Sequence, residues 1–151
     1  MTDAHWMKMA LELAECAFNE GEVPVGAIVV KGDQVIGRGY NRREKTKNAI
    51  EHAELLAIAN ACETIGDWRL NGCSLYVTLE PCPMCAGAII NSRIERVVFG
   101  SDDALAGCCG SVLNLNAYPF NHAFAIQGGV CAEECRALLQ EFFARQRAQK
   151  K

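Results

Sequence analysis

No stretch of eighteen apolar residues occurs in the chain, and this excludes a membrane-spanning helix. The N-terminus, MTDAHWMKMALELAEC, lacks the basic flank and unbroken apolar core of a secretory signal, so a cytoplasmic protein is expected. Linker-like composition shifts and internal repeats are missing too. With 151 residues and 50% hydrophobic content, the chain is expected to form a single domain, 1–151, around its own core. A general excess of positive charge is absent, since the net charge is −3, which argues against nucleic-acid binding by bulk charge. Histidine is scarce, with only His5, His52 and His122. Cysteine is not: there are nine (16, 62, 73, 82, 85, 108, 109, 131 and 135). An odd number in a chain large enough to stand without staples points away from a disulfide framework. Such cysteines read as buried small hydrophobes or as metal ligands.

The charge that is present is unevenly placed. Residues 1–22 hold five acids (Asp3, Glu12, Glu15, Glu20, Glu22) against Lys8, whereas "RREKTK" at 42–47 has four bases to one acid. Residues 136–151 carry five bases (Arg136, Arg145, Arg147, Lys150, Lys151) to Glu141. The two basic stretches either converge on a phosphate backbone or form a solvated loop and tail.

Periodicity divides the chain into alternating helices and strands. Residues 3–20 fit an amphipathic helix through Trp6, Met9, Ala10, Leu13 and Ala17, stopped by Gly21. "VGAIVVK" (25–31), a turn at Gly32-Asp33 and "QVIGRGY" (34–40) make a hairpin. A loop runs to 51, followed by a helix over 52–65 closed by Gly66. A buried strand is predicted at 73–79, a helix at 83–91, strands at 96–100 and 124–127, and a last helix at 132–147. A βαβαβ pattern after an opening hairpin predicts an α/β fold, a three-layer α/β/α sandwich with a central mixed sheet.

The stretch "EPCPMCAGAII" (80–90) lies at a β-to-α junction. Pro83 suits the first turn of a helix, so Cys82 falls at the cap and Cys85 inside the first turn. Both sulfurs sit at the positive end of a helix dipole, which favours thiolate. His52 opens the other long helix in "EHAEL", two residues before Glu54. Inside a helix that spacing would separate the two side chains, but at a helix start the first residue need not be helical and both can face one cleft. His52, Cys82 and Cys85 would leave the fourth position of a zinc ion to water, the arrangement of catalytic rather than structural sites. Glu54 would stand beside that water as a proton carrier. Cys-x-x-Cys alone is equally compatible with a redox pair or a structural zinc, and a lone His at a helix start with a cap.

His-x-Glu at the head of one helix and Pro-Cys-x-x-Cys at the head of the next together form the signature of zinc-dependent nucleobase deaminases. Beyond it, "NEGEVPVGAIVV", "HAELLAI", "LYVTLEPCPMCAGAIINSRIERVVFG", "GCCGS", "FNH" and "LLQEFFARQR" resemble the bacterial tRNA-specific adenosine deaminase family, from near residue 5 to about 147. The resemblance implies a cytidine-deaminase-like fold, a homodimer, one Zn2+ per subunit with a bound water, and a tRNA anticodon stem-loop as partner. The implied reaction is hydrolytic conversion of adenosine to inosine at the wobble position of an arginine tRNA, with Glu54 shuttling protons. It further implies that Asn41, Asp103, Asn121 and His122 line the base and its neighbours. In this family many members carry lysine where this chain has Leu105.

The last helix adds a pattern of its own. Cys135, Leu138, Leu139 and Phe142 fall at core spacing, while Arg136, Gln140, Phe143 and Arg147 form a second stripe. That stripe suits either a base stacked on Phe143 beside arginine-bound phosphates, with Arg147 among them, or a plain helix edge. Cys108, Cys109, Cys131 and Cys135 match no common zinc spacing and are expected to be buried. A free-base or nucleoside deaminase of the same fold, such as guanine deaminase, is the nearest alternative. A zinc-stabilised binding module and a thiol-disulfide exchanger are more distant ones.

Overall fold

A computed structural model describes residues 1–150. The elements, in chain order, are α1 (Asp3–Asn19), β1 (Gly26–Lys31), β2 (Gln34–Tyr40), α2 (Arg43–Thr46), α3 (Ala53–Ile65), β3 (Cys73–Leu79), α4 (Pro83–Ser92), β4 (Arg96–Ser101), a 3-10 turn (Leu115–Ala117), β5 (Ala125–Gln127) and α5 (Ala132–Gln149). The five strands form one mixed sheet in the order β2-β1-β3-β4-β5. β1 is antiparallel to β2 and β3, whereas β3, β4 and β5 run parallel. Among the described residues, no helix is long and apolar enough to cross a membrane.

Alternation along the strands assigns the two faces. Leu75, Val77, Val97 and Phe99 pack with Ala53, Ala57 and Ala61 of α3 and Ile89 and Ile90 of α4. Ile28, Tyr76 and Val98 pack on the other face with Trp6, Met7 and Ala10 of α1 and Cys135 of α5. Sidedness of this kind follows from the period of two in strands, and it yields the expected three-layer sandwich. Within it α3 lies very close to β2. A Cβ on Gly39 would stand 2.5 Å from the carbonyl oxygen of Ala53, so only glycine permits the approach that fixes where α3 begins.

Three local expectations change. The buried stripe of α1 runs through Trp6, Met7, Ala10, Ala14 and Ala17, with Met9 and Leu13 only partly buried. The small alanine side chains let this helix settle against the sheet, which pushes the larger Met9 and Leu13 to its flank. The segment after β2 is not wholly loop, because Arg43–Thr46 forms the short helix α2. Its charged sequence carries no apolar period. The turn is held instead by Glu22, a residue buried far away in sequence, whose carboxylate accepts hydrogen bonds from the Glu44 and Lys45 amides at 3.0 and 2.7 Å. Finally, Leu138 is only partly buried on α5, whose core face is Cys135, Leu139 and Phe142. Cys108, Cys109 and Cys135 are buried, as expected of small hydrophobes, whereas Cys131, at the N-cap of α5, is only partly buried.

Candidate metal centre

β3 delivers its C-terminal end through Glu80-Pro81 to the start of α4, and α3 begins beside it. Two helix N-termini therefore meet at one edge of the sheet, where partial positive charge favours anionic groups. His52 is the N-cap of α3 with extended backbone (φ −77°, ψ 154°), and Cys82 is the N-cap of α4 with φ −77° and ψ 175°. The extended cap turns the His52 side chain onto the side taken by Glu54, although the two are only two residues apart.

The ligand atoms of His52, Cys82 and Cys85 all lie within 4.8 Å of one another. His52 Nδ1 stands 3.6 Å from each sulfur. Zinc–sulfur and zinc–nitrogen bonds of about 2.3 and 2.0 Å at a tetrahedral angle would put nitrogen and sulfur about 3.5 Å apart, close to the spacing His52 Nδ1 keeps from both sulfurs, so the donor set fits a zinc ion. Donor chemistry agrees. A hydrogen bond from the Cys85 thiol, aided by His52 and opposed by burial, brings Cys82 down to about 4, so it is a thiolate at neutral pH. Cys85 is raised, first by its hydrogen bond to Cys82 and then by burial. His52 is raised by its hydrogen bond with Cys82, which outweighs desolvation. One nitrogen and two sulfurs, one already ionised, form a donor set consistent with zinc.

Glu54 sits in the first turn of α3 with 4% of its surface exposed. Burial raises its carboxyl to about 7, against a backbone hydrogen bond and the nearby His52. A carboxyl poised near neutrality can both take and return a proton. The cavity above these groups, about 190 Å³, is lined by Val23, Val25, Leu79 and Ala106 as well as by His52, Glu54 and Cys82. Pockets for drug-sized ligands hold about 300–1,000 Å³; this one suits a single planar ring system.

Of the other sequence-derived candidates, Asn41 and Asp103 line the same cavity. Asn41 is also a turn residue: its amide nitrogen donates to the Val23 carbonyl (3.2 Å) and its side-chain oxygen accepts from the Arg43 amide (3.1 Å). Asp103 Oδ1 accepts from the Leu105 and Ala106 amides at 3.0 and 3.2 Å. Asn121 instead borders a groove beside α4 with Ile50, Met84, Ile90 and Phe120. His122 donates from Nε2 to the Ile94 carbonyl at 2.7 Å. Phe143 and Arg147 are exposed on α5 and do not line this cavity. Leu105 is 93% exposed at the tip of the 103–111 loop.

Two charged cavity residues went unassigned in the sequence, Arg43 and Glu80. Arg43 belongs to the unforeseen α2. Glu80 is 2% exposed, and the signal for it was there: a charge that ends the apolar run "CSLYVTL" must find partners once buried.

Comparison with known proteins accords with this geometry. The model of the MafB19-like deaminase family matches residues 1–147. The chain is 48% identical over 150 residues to the tRNA-specific adenosine deaminase of Bacillus subtilis (strain 168), covering 99% of this chain and 93% of that protein. Against the tRNA-specific adenosine deaminase of Haemophilus influenzae, identity is 44% over 151 residues, covering 99% and 87%. A solved structure from work on A-to-I editing by tRNA:A34 deaminases superposes with a TM-score of 0.86 at 39% identity, covering 89% of this chain and 98% of that one. A guanine deaminase from Bacillus subtilis gives 0.65 at 36% identity, covering 68% and 66%.

Proposed function

Because the chain belongs to the MafB19-like deaminase family, we propose that it hydrolyses adenosine to inosine at the wobble position of an arginine tRNA anticodon. One observation carries this reading: His52, Cys82 and Cys85 converge beside the buried Glu54 in a ring-sized cavity. The 48% identity with a tRNA-specific adenosine deaminase supports a tRNA adenosine as the substrate. The reaction consumes water and releases ammonia as the C6 amino group is replaced by oxygen.

Zinc held by His52, Cys82 and Cys85, one ion per subunit, would supply a water activated at neutral pH. Glu54 relays the two protons of the attacking water in succession through a carboxylate oxygen, one to the purine ring nitrogen and one to the amino group that departs as ammonia. Its buried position keeps that exchange out of bulk water. Asn41 and Asp103 flank the base, and the apolar Val23, Val25, Leu79 and Ala106 offer it a low-dielectric wall. The anticodon loop supplies an already unstacked nucleotide, which lowers the few-kcal/mol cost of drawing the base into the cavity. In this reading Asn121, His122, Phe143 and Arg147 meet RNA outside the cavity. A second copy of the chain covers the apolar groove beside α4, giving a homodimer in the cytoplasm.

The test is a side-by-side assay of the purified, metal-analysed protein. An arginine tRNA anticodon stem-loop with wobble adenosine is offered beside free adenosine, cytidine and guanine. Inosine from the stem-loop alone is expected. Turnover of guanine without the stem-loop would keep the hydrolytic chemistry and overturn the RNA substrate.

A further inference from the structure

We propose that Glu80 is a positioning residue, a buried carboxylate that gathers the hydrogen-bond donors of the 103–111 loop and holds that loop as one wall of the base cavity. The proposal rests on the reading that this cavity takes the substrate base.

Four donors converge on the Glu80 side chain. Oε1 accepts from the Asp103 amide at 3.1 Å and from the Ser111 hydroxyl. Oε2 accepts from the amides of Cys109 at 2.9 Å and Ser111 at 3.1 Å. A carboxylate has about four lone-pair directions, and all are taken, so none remains for substrate or for moving a proton.

The loop is shaped around that charge. A Cβ on Gly107 would lie 2.3 Å from the Glu80 carboxyl carbon and 2.5 Å from each oxygen, so the chain passes directly against it. The Cys108 amide donates to the Pro81 carbonyl, and the Glu80 amide to the Ser101 carbonyl, both at 2.9 Å. The loop is thus strapped to the same short segment that presents Cys82. Asp103 and Ala106, which line the cavity, hang from it. The metal-bearing helix start and the opposing wall therefore share one reference point, and the wall moves if Glu80 releases its donors.

Glu80→Gln in the full-length, zinc-loaded protein tests this, because the carboxamide turns a hydrogen-bond donor toward amides that need an acceptor. Zinc content and kcat should stay close to the parent, while KM for the stem-loop rises about 10- to 100-fold, the signature of a displaced binding wall. Amides of 103–111 should exchange with deuterium faster, with β3 and α3 unaffected. Gly107→Ala pushes the loop away while leaving the carboxylate in place, and should give the same split even where Glu80→Gln fails to fold. Ser111→Ala removes only the hydroxyl donor and leaves the three amide donors on Glu80, so its effect should be smaller in the same direction. Loss of zinc, a fall in kcat at constant KM, or unchanged exchange of 103–111 in these variants would each overturn the proposal. If the parent protein acts on a free base instead, the substrate reading fails separately, and the KM split for that base together with the exchange pattern still decides the role of Glu80.

Discussion

Glu54 and Cys82 stand in the same cavity, yet their removal should fail in different ways. In the proposed reaction Glu54 carries protons, and it does not belong to the converging donor trio. Glu54→Ala is expected to lower turnover by about 10²- to 10⁴-fold, the usual worth of a positioned proton carrier, with zinc still bound. Elemental analysis beside an inosine assay checks both halves, and near-normal turnover would contradict the role given to this carboxylate. Cys82→Ala removes a donor already ionised by its surroundings. Zinc content should then fall with activity, and added zinc should not restore the parent affinity. Both roles could be read from residue types and spacing. The packing of Glu80 against Gly107 could not, because the two are 27 positions apart and meet only after β4 has returned the chain to the end of β3.

Elements bring separate stretches to the site with unequal legibility. α3 and α4 announce their N-termini through His52 and Pro83, and the extended caps follow from chemistry local to those residues. α2 does not, since Glu22 holds it through tertiary hydrogen bonds rather than through its own periodicity. α5 shows the two-stripe pattern expected of it, with Phe142 buried and Phe143 44% exposed, the rings meeting edge to face at 5.4 Å. Its outer stripe does not line the cavity, so any RNA contact there must come from nucleotides outside it. Phe143→Ala should alter stability by no more than about 0.5 kcal/mol, as exposed substitutions do. It should weaken stem-loop binding by about 1–3 kcal/mol if a base stacks on the ring. Thermal unfolding and a binding titration separate these effects, and unchanged affinity would assign the stripe to solvent.

Across the whole molecule, Asp3 ties the first helix to the sheet. Its carboxylate accepts from the Tyr76 hydroxyl at 2.9 Å and from two Arg96 nitrogens at 2.8 and 2.7 Å. The Arg96 hydrogen bond, with help from Tyr76, holds Asp3 below its ordinary 3.8 despite some burial. Its contribution to stability is therefore fully present above that value and is lost as pH falls through the lower, folded value. Tyr76, raised to about 12 by burial and by Asp3, contributes below its ordinary 10.0 and loses that contribution as pH climbs towards 12. Asp3→Asn should cost about 1–3 kcal/mol at neutral pH, with a smaller difference from the parent in acid, measured as denaturation midpoints at both pH values. The amino-acid sequence by itself determined the element pattern, the three-layer class and the His52, Glu54, Cys82 and Cys85 set, because periodicity, caps and short ligand spacings are local properties of a chain. Only the tertiary structure decided that Asn41 and Asp103 share the cavity while Asn121, His122, Phe143 and Arg147 lie outside it. It alone made Glu22 and Glu80 the anchors of two loops, since a buried charge finds its partners among residues that strand order, not sequence distance, makes neighbours.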